Sequence, residues 1–144
     1  MNRFIVLLSI LAVGLAGCGG GGGGGGATNS VALTGAPGNA TAVVKTAAQL
    51  PKDPGGTAFV SAAQVAPVSA VFGSPATLTF TLTSTVAAGK TPVLLFYDAG
   101  STTWTNWIQQ GNAVVITVSA DRLTVTVSNV LGFPDSGYFA LVTN

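Results

Sequence analysis

The amino-acid sequence predicts an all-β protein, a small antiparallel β-sandwich that follows a signal peptide and a flexible glycine tether. Three observations predict it. Apolar residues alternate with a period of two through most of the chain after residue 57, and short clusters of turn residues interrupt that alternation at close spacing. The length of 144 residues leaves enough chain for one packed core once the N-terminal segments are set aside. The expected division is residues 1–17 as signal, residues 18–30 as attachment point and tether, and residues 31–144 as a single β-sandwich domain.

Asn2 and Arg3 give the chain a short, positively charged start, and residues 4–16 are apolar. A run of about 13 residues at about 1.5 Å each is too short to span a hydrocarbon core as a helix and reads instead as the apolar region of an export signal. The small residues Ala16 and Gly17 before Cys18 fit the narrow subsites of a signal peptidase. Cys18 is the only cysteine, so no internal disulfide exists and the thiol is a site for intermolecular pairing or modification.

Leu15-Ala16-Gly17-Cys18 resembles the lipobox of bacterial lipoproteins at all four positions. The resemblance implies cleavage between Gly17 and Cys18, diacylglycerol on the Cys18 thiol, and a further acyl chain such as palmitate on the new amino group. Two or three acyl chains, at about 0.8 kcal/mol per buried CH₂, hold a protein on a membrane where one does not. The competing reading is a plain secretory signal with an incidental cysteine. In lipoproteins of diderm bacteria an Asp after the cysteine retains the protein in the inner membrane. Gly19 stands there, so the resemblance implies the bacterial cell envelope and its outer membrane.

The unbroken glycines of residues 19–26 have no side chains to bury. Ordering them would cost about 1 to 2 kcal/mol per residue, so they read as a leash with a reach on the order of 15 Å. A phosphate-cradling loop is excluded because no strand precedes the run, no helix follows it and no Lys-Ser/Thr closes it. Residues 27–56 are small, polar and punctuated by Pro37, Pro51 and Pro54. They admit a short helix capped by Asn39, with Val43, Val44, Ala47 and Leu50 on one side, or a strand over residues 41–46.

Strands then follow in order. In residues 77–83, Leu78, Phe80 and Leu82 share one face and threonines the other, a half-buried strand. Residues 93–97 are apolar on both faces and predict a central strand covered twice. Asp98-Ala99-Gly100-Ser101 is turn chemistry, and residues 102–109 return as its partner strand. Val114, Ile116 and Val118 alternate with polar or outward residues. After Ala120-Asp121-Arg122 the alternation resumes over residues 123–127, and residues 132–137 separate this hairpin from a last strand at 138–143.

Several of these stretches carry a second resemblance. They are Phe72-Gly73-Ser74-Pro75 with the alternation after it, Phe96-Tyr97-Asp98 with Trp104 beyond, Leu123-Thr124-Val125-Thr126-Val127, and Tyr138-Phe139-Ala140-Leu141-Val142. Together they resemble the terminal part of ZU5-like β modules of bacterial surface and secreted proteins, over about the last 75 residues. The resemblance implies an immunoglobulin-like or ZU5-like sandwich. It implies no chemistry, because a fold does not carry a function with it.

Composition excludes several functions. Charged residues make up 6% of the chain, and without Arg3 four cations face four aspartates. Counterion release on nucleic acid has almost nothing to work with. With no His and no Glu, neither a Ser-His-Asp triad nor an ordinary zinc site can be assembled, so no catalytic residue, cofactor or metal is expected. Asp98, Asp121 and Asp135 fall in predicted loops, where carboxylates usually cap turns. They show no Asp-x-Asp spacing for calcium, and Lys45, Lys52 and Lys90 lack the motif of a Ser-Lys dyad.

The aromatic cluster is the candidate binding feature. Trp104 and Trp107 lie three apart on one predicted strand and should face opposite ways. One fills the core. The other, beside Asn106, Gln109 and Gln110, could stack on a sugar ring, or it could pack against residues 27–56. The expected function is a non-catalytic structural or protein-interaction module, anchored to the membrane by lipid and meeting another envelope protein. The alternative is a glycan- or peptidoglycan-binding module using a surface tryptophan.

Overall fold

A computed structural model of the chain describes residues 28–55, 58–107 and 114–144. The signal, Cys18 and the glycine run lie outside the described residues, as do Gln109 and Gln110. Among the described residues nine strands form two antiparallel sheets packed face to face, a β-sandwich: β1 (Ser30–Thr34), β2 (Thr41–Lys45), β3 (Ala58–Ala66), β4 (Val71–Thr81), β5 (Val93–Asp98), β6 (Thr103–Asn106), β7 (Val115–Val118), β8 (Thr124–Gly132) and β9 (Tyr138–Thr143). The first sheet has the order β1-β4-β8-β7 and the second β2-β3-β9-β5-β6.

The alternation seen in the sequence becomes the core. Leu78 and Phe80 on β4 and Val125 and Val127 on β8 meet Ala63 and Val65 of β3, Leu94 and Phe96 of β5, and Phe139 and Leu141 of β9, all buried in one cluster. At about 25 cal/mol per Å² of apolar surface, this burial is the main term holding the sheets together. The expected hairpins are present, β5 with β6 and β7 with β8. Of the alternatives for residues 41–46, the strand forms, as β2, and only a single 3-10 turn, Ala47–Gln49, follows it.

Three expectations need correction. The strand after Asp98 is shorter than residues 102–109, since β6 ends at Asn106. The strand covered twice is β9, not β5. The outer positions of β5, Val93, Leu95 and Tyr97, are half-buried, whereas β9 is buried from Phe139 to Thr143. Asn29 and Ser30, at the end of the stretch assigned to the leash, belong to the sandwich. Ser30 begins β1, and the Asn29 side chain joins the two sheets. Its Nδ2 donates to the Val60 carbonyl at 3.1 Å, and its Oδ1 accepts from the Thr83 amide and hydroxyl at 2.9 and 3.1 Å.

The cover on β9 comes from the connection between β2 and β3. Ala62 of β3 pairs with Ala140 of β9, and both face away from the core yet have no exposed surface. The 3-10 turn packs on β3, and Lys52 reaches β6, the far edge of the sheet, where its carbonyl accepts the Trp104 indole N–H at 2.9 Å. Four strand spacings of about 4.8 Å, or about 19 Å, are thus crossed by one short strap. Alanines at Ala62 and Ala140 leave the room it needs.

Register gives the sandwich two distinct ends. At the proximal end, where the chain arrives, Ser30 lies opposite Thr81, and the Lys90 ammonium donates to the Asn144 carbonyl. There Arg122, at φ 59°, donates to the carbonyls of Val86, Ala87 and Lys90 at 2.5 to 2.6 Å, tying the crossing from β4 to β5 onto the β7–β8 hairpin. The distal end carries the β3–β4, β5–β6 and β8–β9 connections.

Gly132, the last residue of β8, lies under the β3–β4 connection. A Cβ there would sit 2.3 Å from the Ala70 carbonyl oxygen. Gly132→Ala is expected to destabilise the fold by about 1 to 3 kcal/mol through this overpacking. Urea denaturation checks it, and Gly73→Ala, whose Cβ would meet nothing within 4 Å, is the control.

Candidate functional site

Trp104 and Trp107 do face opposite ways, and the structure separates the expected cluster accordingly. Trp104 pairs with Tyr97 and Asn106 with Leu95, so Trp104 and Asn106 share the outer face of the second sheet. Trp104 is half-buried, its ring edge-on to Tyr97 at 5.4 Å and its N–H taken by the strap. Asn106 is likewise half-buried. Trp107 turns inward and is 4% exposed, held between Phe96 and Phe139 at 5.1 Å from each ring. One indole is therefore in the core, and the other packs on the 46–55 strap.

Around Trp107 the distal end forms two adjoining clefts that share Ser69, Trp107 and Phe133. One, of about 410 Å³, opens toward Val71 and Leu131, and the other, of about 300 Å³, opens between Asp98 and Asp135. These volumes lie at the lower end of the range for small-ligand sites. The floor is aromatic: Phe72 meets Phe133 edge-on at 4.8 Å, and Phe133 continues to Phe139 at 6.4 Å. The rim of the first cleft carries exposed Val71 at 87% and Leu131 at 36%, with exposed Val68 next to Ser69 in the chain, whereas aspartates flank the second. Ser69, at φ 55°, is held by the hydrogen bond its backbone N–H donates to the Pro134 carbonyl, and Ser136 donates its hydroxyl to the Tyr97 carbonyl.

Of the three loop aspartates, the structure brings Asp98 and Asp135 to one cleft and leaves Asp121 at the proximal end. Asp98 caps its own turn, accepting from the Ser101 hydroxyl at 2.8 Å and from the Gly100 and Ser101 amides. The Ser101 hydroxyl first, then the two amides, hold its carboxyl below the ordinary 3.8. A general acid needs the opposite shift, so Asp98 is suited to building the turn rather than to proton donation. Asp121 is lowered in the same way by the Ser119 hydroxyl and then by the Leu123 amide. Among the described residues no group of three His, Cys, Asp or Glu side chains could hold a metal.

Sequence reasoning missed Ser69, Val71, Leu131 and Phe133. The available signal was Phe133 itself, an aromatic residue inside a Gly-Phe-Pro turn where nothing in the alternation requires one. No known protein family, curated protein or solved structure matches this chain.

Both depressed aspartates carry a signed pH dependence. Each lowers stability only when protonated, so its contribution is complete above the unfolded value of 3.8 and is lost as pH falls through the lower folded value. With no His in the chain, the denaturation midpoint should be flat between about pH 5 and pH 8 and fall only in stronger acid. Asp98→Asn, which cannot ionise, should make the acid fall shallower. The measurement is a urea midpoint at a series of pH values.

Proposed function

We propose that this protein is a lipid-anchored component of the bacterial cell envelope, held in the outer membrane through Cys18, whose sandwich presents its distal end to another envelope protein. On this reading it is a non-catalytic interaction module. The observation that carries it is the polarity of the sandwich. The chain arrives from the glycine tether at Asn29 on one end, and exposed Val68 on the β3–β4 connection, Val71 at the start of β4 and Leu131 at the end of β8 gather at the opposite end. Neighbouring exposed apolar groups are the usual mark of a contact surface, and a tether at the far end leaves that surface free. Leu15-Ala16-Gly17-Cys18 and the glycine run supply the attachment, and the resemblance to ZU5-like modules of bacterial surface proteins suits the setting.

A glycan-binding module is the second reading, favoured by Trp104 and Asn106 lying half-buried on one face. It asks of Trp104 an open ring face, while its edge and N–H are already engaged by Tyr97 and Lys52.

Two measurements test the proposal. Intact mass of the protein purified from the envelope should show loss of residues 1–17 and a diacylglyceryl group on Cys18, and Cys18→Ser should abolish membrane retention. An unmodified thiol contradicts the anchor. A photo-crosslinking residue at position 71 should then give a discrete adduct with one envelope protein, and the same residue at the exposed Val43 should not. Equal labelling at both positions contradicts the distal contact surface.

A further inference from the structure

The Trp107 indole N–H is buried and has no hydrogen-bond partner among the described residues. Leaving a buried donor unpaired costs about 1 to 3 kcal/mol, and native structures rarely keep one without a use for it. The other tryptophan shows the contrast, since Trp104 has its acceptor in Lys52. Trp107 is also not placed by a hydrogen bond. The edge-on rings of Phe96 and Phe139, at 78° and 89° to it, fix its orientation by packing alone. A phenylalanine would serve that packing. What the indole adds is a donor with no partner among the described residues, on a residue that lines both distal clefts.

The surroundings narrow what could satisfy it. No cation is among the described residues that line the clefts, and Asp98 and Asp135 stand at one mouth, so an anionic ligand is disfavoured. A ring 4% exposed offers no open face for stacking on a sugar. Phe72, Leu131 and Phe133 set among polar groups of the cleft walls, beside one fixed donor, suit a peptide: an aliphatic side chain next to a main-chain carbonyl. We infer that the seam between Ser69, Trp107 and Phe133 receives a polypeptide segment of a partner protein, one aliphatic side chain filling the cleft and one main-chain carbonyl accepting the Trp107 indole N–H. This deepens the protein-interaction reading above and rests on it. Because the nitrogen is covered in the free domain, the segment parts the seam at Ser69 and Phe133, which stand on the β3–β4 and β8–β9 connections. Exposed Val71 and Leu131 on the rim supply the first contact.

The test is a titration of the full-length chain, ¹⁵N-labelled in tryptophan and glycine and solubilised in detergent, with N-acetyl-leucine methylamide and, separately, N-acetylglucosamine. Two indole resonances report, and Trp104 is the internal reference. The expected result is a saturable downfield shift of the Trp107 indole proton with the leucine probe alone, with Trp104 unmoved. Trp107→Phe should weaken the same probe about fivefold, the loss of one hydrogen bond, read from the Gly132 amide. The wild-type titration decides the matter even if that variant does not fold. No shift at Trp107 with either probe, or a shift with the sugar alone, overturns the inference. A silent Trp107 with discrete crosslinks at position 71 removes this anchor and leaves the interaction reading standing. A shifting Trp107 without crosslinks does the reverse.

Discussion

A file of five edge-on aromatic rings joins the two sheets: Phe72 of β4, Phe133, Phe139 of β9, Trp107 and Phe96 of β5. Each such contact contributes about 0.5 to 1.5 kcal/mol beyond the area it buries. Its position matters more than its sum. The file runs under the distal connections, and two of its members, Phe133 and Trp107, lie beyond the ends of strands. Loops that would otherwise be set only by turn chemistry are thereby fixed from beneath. The clefts at this end are concave because their floor is rigid. With charged residues at 6% of the chain, packing of this kind has to do what ion-pair networks do elsewhere.

The proximal end is held by different means. Asn29 bonds across to both sheets, and Arg122 gathers three carbonyls of the crossing between β4 and β5. These are polar stitches at the places where the chain passes from one sheet to the other and backbone carbonyls would otherwise be left to water. An arginine is needed there because a planar fork can serve several acceptors at once, which a lysine ammonium does less well. A domain pulled through its N-terminus would be loaded at Asn29, where the two sheets are stapled.

Much of this was legible in the residues and some was not. Alternation located β7 and parts of β4 and β8, the stretch after the break at residues 132–137 gave β9, and turn chemistry located both hairpins, because those signals are local. Asn29 gave no such signal, since its partners Val60 and Thr83 are more than thirty residues away. The exchange of β5 for β9 as the doubly covered strand has the same origin. Val93, Leu95 and Tyr97 look like buried residues, but what covers a face is decided by the strap, and the strap crosses Ala62 and Ala140. Alanine is too small to announce that it is covered. At the site, the opposite facing of Trp104 and Trp107 followed from period two. The joining of Trp107 to Phe133 and Ser69 required the sheet order.

The claim on which the rest depends is that Trp107 is locked in the aromatic file while Trp104 closes the strap. Its most direct test is fluorescence of the Trp104→Phe chain, in which Trp107 is the single emitter. A blue-shifted spectrum shielded from iodide, shifting red only on denaturation, is the predicted result. Red-shifted native emission with free quenching would show that the file does not form, and the distal clefts would lose their floor.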